Sequence, residues 1–106
     1  MDDNFNEQRE EVLDNFDFEK VAKVMRYLDW TWAGNEEPPS VYQLIKQSTS
    51  MLNDAYISVM EMYKKGKKEA YMNIQTCGFS ATASYYENQG LCLNLEFVIA
   101  SWKTEC

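Results

Sequence analysis

Phe79-Ser80-Ala81-Thr82-Ala83-Ser84-Tyr85-Tyr86, Glu87-Asn88-Gln89-Gly90, Leu91-Cys92-Leu93-Asn94-Leu95-Glu96-Phe97-Val98-Ile99 is the stretch on which the fold turns. Apolar residues recur in it at every second position, the period of a strand. Phe79, Ala81, Ala83 and Tyr85 share one face, and Leu91, Leu93, Leu95, Phe97 and Ile99 share another that is strongly apolar. The polar residues 87–90 between them predict a four-residue hairpin loop. The second strand is expected to end near Trp102. Just upstream, Tyr71, Met72 and Ile74 favour a strand over residues 70–76, and Gly78 predicts a bend or bulge before Phe79.

Before Gly66 the period is that of a helix. Ser40-Val41-Tyr42-Gln43 has the S-x-x-Q form of a capping box and follows Pro38-Pro39. Val41, Leu44, Ile45, Ser48, Leu52, Ala55, Tyr56, Val59 and Tyr63 then hold helical spacing. Lys64 and Lys65 suit the negative end of the helix dipole, and Gly66 supplies a left-handed exit. This predicts a helix over residues 41–65 that covers the apolar face of 91–99. Asp17 reads as an N-cap for a shorter helix over residues 18–28, with Phe18, Val21, Ala22, Met25 and Leu28 on one face. Residues 33–39 form a loop of Gly, Asn and two prolines. The expected fold class is α+β: two helices, then an antiparallel hairpin or three-stranded meander, in one domain over residues 16–106. Residues 1–15 read as a polar acidic arm in which Val12, Leu13 and Phe16 pack locally, with room for a short helical turn.

The chain has 106 residues and no histidine. That removes histidine general bases, Ser-His and Cys-His pairs, and imidazole metal ligands. The net charge is −7, and it sits at the front. Residues 1–37 hold eleven acids and four bases, whereas residues 38–65 hold three bases and two acids. An acidic chain lacks the basic surface that binds phosphate backbones, so no nucleic-acid partner is expected. No run of about 18 apolar residues crosses a membrane, and the acidic start is not a secretory signal. Cys77, Cys92 and Cys106 are odd in number and lack C-x-x-C spacing. They read as reduced thiols of a cytoplasmic protein.

Several groups of residues bear on chemistry. Trp30 and Trp32 point the same way in extended chain and form either a seal at the core edge or a stacking wall for a planar base. Thr76-Cys77-Gly78-Phe79 is either a plain bulge or a loop whose backbone N–H groups approach an anionic ligand. Neither G-x-x-x-x-G-K nor G-x-G-x-x-G is present. Glu10, Glu11, Asp14, Asp17 and Glu19 are dense, but no D-x-D-x-D-G loop orders them for calcium. Lys64, Lys65, Lys67 and Lys68 either solubilise a helix end or hold a small anion. Cys77 has no histidine to activate it. No catalytic residue, metal site or cofactor is expected.

Asp17-Phe18-Glu19-Lys20-Val21, Trp30-x-Trp32, Pro39-Ser40-Val41, Gly78-Phe79 and Leu91-x-Leu93-x-Leu95-x-Phe97-Val98-Ile99-x-x-Trp102 together resemble a group of small bacteriophage-encoded proteins. The resemblance spans residues 16–102. It implies an accessory protein of counter-defence type in the bacterial cytoplasm. Some such proteins sequester the nucleotide signals of host immunity, as oligomers with ligands at subunit interfaces. On that reading Trp30, Trp32 and Phe79 stack on a base, while Arg26, Thr76 and Gly78 help to hold phosphate. The expected partners are a second copy in a homodimer or higher homo-oligomer and a small nucleotide ligand. The alternative is a host enzyme, inhibited through the acidic and aromatic surface.

Overall fold

Ser40 opens the longest element by closing a reciprocal cap. Its hydroxyl accepts from the Gln43 N–H at 3.2 Å, and its own N–H donates to Gln43 Oε1 at 2.8 Å. Two of the orphan donors at the helix start are thereby satisfied. The computed structural model describes residues 4–27, 39–76, 78–97 and, by their backbone, 100–103. Within them lie three helices and four strands: α1 (Phe5–Asn15), α2 (Phe18–Tyr27), α3 (Val41–Lys64), β1 (Glu69–Thr76), β2 (Phe79–Tyr86), β3 (Gly90–Phe97) and β4 (Ala100–Lys103). The strands form one antiparallel meander in the order β1-β2-β3-β4, so the fold is α+β as expected.

Both predicted helices begin on their predicted caps. Asp17 Oδ1 accepts the Lys20 N–H at 3.0 Å. Gly66 takes φ +90° after α3, and the Lys67 N–H returns to the Met62 carbonyl at 3.3 Å. α2 is described to Tyr27; Leu28, which the sequence reading included, lies outside the described residues.

The stretch read as an acidic arm is, from Phe5 onward, the helix α1. Val12 is fully buried in the common core, and Phe5 stacks on Tyr56 with ring centroids 3.9 Å apart. The Arg9 guanidinium lies 5.3 Å over the Phe5 ring and donates to Asn53 Oδ1 at 2.8 Å. Gln8 Nε2 donates to the Leu91 carbonyl at 3.0 Å. Glu7, Glu10, Glu11 and Asp14 face water, while these four side chains hold α1 against α3 and β3. Charge density hid an amphipathic helix.

The alternation read from the sequence is the sheet's inside–outside pattern. Ala70, Phe79, Ala81, Ala83, Leu91, Leu93, Leu95 and Phe97 are buried on the inner face. The register places Thr76 opposite Phe79 and Phe79 opposite Phe97. The expected bulge at Gly78 is therefore part of a tight turn between β1 and β2, with Gly78 at φ +88°. Likewise Tyr86 pairs with Gly90, so the β2–β3 loop has three residues, and Gly90 (φ +78°) opens the strand. The single run expected through residue 99 is two strands, since β4 folds back with Leu95 opposite Trp102. A strand period continues through a reversal, which is why the break does not show. Ile99 lies outside the described residues.

The expected cover is also different. α3 lies over β1 and β2, and α1 lies over β3. Ala70, Ala81 and Ala83 leave a shallow trough that a helix can enter closely, whereas the leucines of β3 fill the space beneath α1. At one end of the core Phe79 sits among Phe16, Phe18 and Phe97, with centroids 5.9, 6.5 and 4.9 Å away. Cys92 is disulfide-bonded, which overturns the reading of three reduced thiols. Spacing along the chain does not report which cysteines the sheet brings near others.

Candidate functional site

Three surface features concentrate the side chains that could bind something. The first is the turn between β1 and β2, where Gln75, Thr76, Gly78, Phe79 and Ser80 line an open hollow of about 400 Å³. The strand pairing brings Thr76 and Phe79 together, and glycine's freedom at positive φ lets the chain reverse between them. Thr76 and Gly78 are exposed, and the Thr76 hydroxyl donates to the Gln75 carbonyl at 2.7 Å. Nearby on the outer sheet face, Asn73 Nδ2 donates to Ser80 Oγ at 2.7 Å and to Thr82 Oγ1 at 2.8 Å. Each hydroxyl oxygen thus accepts one bond and keeps its own proton for an outside acceptor. This end of the sheet offers donors to a polar ligand.

Of the six residues expected to form one site, four lie among the described residues. Thr76, Gly78 and Phe79 do meet at this hollow. Phe79, however, is 1% exposed and packed among other phenylalanines, so its ring fills the core. Arg26 is exposed in the last turn of α2. Trp30 and Trp32 lie outside the described residues.

The second feature lies at the opposite end of the sheet. Lys68, Glu69, Tyr86, Glu87, Asn88 and Gln89 line a hollow of about 600 Å³. Of the lysine cluster only Lys68 lines it, beside the carboxylates of Glu69 and Glu87, so the local field is mixed rather than cationic. Among the described residues no group of three His, Cys, Asp or Glu side chains could hold a metal ion.

The third feature is the outer face of α3. Tyr42, Ile45, Lys46, Thr49, Ser50, Asn53, Asp54 and Ile57 form a groove along it. Tyr42 is 73% and Ile57 53% exposed, two of the four large hydrophobic side chains that the described residues present to water, and they share this one groove. Sequence reasoning passed over them because it followed the buried stripe. The signal was present: Tyr42 and Ile57 fall off the spacing of Leu44, Ser48, Leu52, Ala55 and Val59. Apolar residues outside the core stripe of an amphipathic helix have no internal partner.

Compared with protein-family models, curated proteins and solved structures, the chain matches none. No helix among the described residues is long and apolar enough to cross a membrane.

Proposed function

We propose that this protein acts by binding rather than by catalysis, and that it contacts another protein chain along the outer face of α3. The observation carrying this reading is the exposure of Tyr42 and Ile57 at the two ends of a helix groove whose middle is polar. Apolar anchors spaced about four turns apart, with polar groups between, suit a helix-sized partner surface. The histidine-free sequence supports a non-enzymatic role. The resemblance to phage counter-defence proteins makes a component of a bacterial host the first partner to try. The cytoplasm was expected partly from reduced thiols, and the disulfide at Cys92 weakens that support. The test is affinity capture with the full chain, Tyr42→Arg, Ile57→Asp and, as a control on the outer sheet face, Tyr71→Arg. A stoichiometric chain held by the first and last proteins but lost from the two α3 variants is expected. Equal capture by all four would refute the assignment.

The sequestration of a small nucleotide-type ligand at an oligomer interface is the second reading. It is favoured by the hydroxyl-rich hollow beside Gly78. Titration calorimetry against cyclic di- and trinucleotides and cyclic ADP-ribose isomers tests it. Heat that disappears in Thr76→Val supports it, and silence across the panel removes it.

A further inference from the structure

We infer that the chain meeting the outer face of α3 is a second copy of this protein, docked antiparallel across a two-fold axis near Ser50. The inference rests on the contact reading above and names its partner. In an antiparallel two-fold pair of helices, residues equidistant from the axis on opposite sides meet. Lys46 and Asp54 lie four residues either side of Ser50, and all three are exposed. Each Lys46 therefore faces the partner's Asp54, and each Asp54 the partner's Lys46. No ion pair joins either to another described residue.

The apolar anchors follow the same symmetry to within one residue. Tyr42 and Ile57 lie eight and seven residues from Ser50, which brings each ring to within one residue of the partner's Ile57. Between them Thr49, Ser50 and Asn53 present small or short side chains, which let two helices approach closely. A parallel arrangement would set Lys46 on Lys46 and Asp54 on Asp54, so the charges choose the direction. Like molecules of net −7 repel, but this face belongs to the nearly neutral stretch of residues 38–65. α3 itself carries two bases, Lys46 and Lys64, and two acids, Asp54 and Glu61, so two acidic copies can meet along it without opposing acidic surfaces.

The symmetry gives a test that a merely sticky surface would fail. Sedimentation of the full chain over a concentration series should show twice the 12.4 kDa chain mass. Lys46→Glu and Asp54→Lys, each checked for native circular dichroism, should each weaken the dimer roughly tenfold or more, because each turns two attractions into repulsions. The double variant Lys46→Glu/Asp54→Lys should recover the dimer, and so should an equimolar mixture of the two single variants. A monomeric parent at every concentration overturns the inference, as does a dimer indifferent to both reversals or a failure of both rescues. A monomeric parent that still captures a foreign chain through Tyr42 and Ile57 would remove only the second copy as partner and leave the contact reading standing.

Discussion

Phe5 and Tyr56 stack nearly parallel, at an interplanar angle of 14°, and so join the first turn of α1 to the middle of α3. The pair covers apolar surface on both helices and places Arg9 over its outer side. An offset or stacked aromatic pair contributes about 1 kcal/mol beyond its buried area.

The acidic segment is therefore part of the stability of the domain. Val12→Ala should lower unfolding free energy by about 1–3 kcal/mol, and Phe5→Ala by a similar amount. Urea titration followed by tryptophan fluorescence measures both. A detached arm would leave the midpoint where it was.

Ser48 is fully buried, and its hydroxyl has no hydrogen-bond partner. Burying an unsatisfied hydroxyl costs about 1–3 kcal/mol. Ser48→Ala removes that cost, leaves only a small void and improves helix propensity. The variant should be more stable by about 1 kcal/mol, seen as a higher melting temperature in calorimetry.

Phe79 joins the aromatic cluster at the end of the core. Phe79→Ala should destabilise by about 3–5 kcal/mol, whereas Thr76→Val, at an exposed position, should change stability little. Comparing their denaturation midpoints separates a structural position from one free to serve a ligand.

Reducing the disulfide at Cys92 should lower the melting temperature, since a cross-link stabilises chiefly by restricting the unfolded chain. Calorimetry with and without reductant measures the shift, and an unchanged midpoint would show that the bond contributes nothing to stability.

What the sequence disclosed follows from which forces act locally. The caps at Asp17 and Ser40 and the exit at Gly66 are contacts between near neighbours, so each was legible. The alternation through β2 and β3 reports burial on a two-residue period and was equally plain. The division of labour between α1 and α3 was not, because it depends on where alanines and leucines fall across neighbouring strands. The helix at Phe5–Asn15 was masked by its acids, since only Phe5, Gln8, Arg9 and Val12 reveal what they touch. Of the expected site, the turn residues came together because strand pairing obliges them to. Phe79 went to the core because a turn next to a strand gives its side chain only two sides to choose from.

Every strand in the meander pairs with the one made just before it, so the sheet can assemble by local zippering as the chain leaves the ribosome. α1 cannot finish so early. The Leu91 carbonyl that receives Gln8 is synthesised 83 residues later. Until then the first helix has only α3 to rest on, and its remaining apolar stripe stays open to chaperones or neighbouring nascent chains. The contact between Gln8 and Leu91 thus acts as a clasp that can close only once β3 is in place.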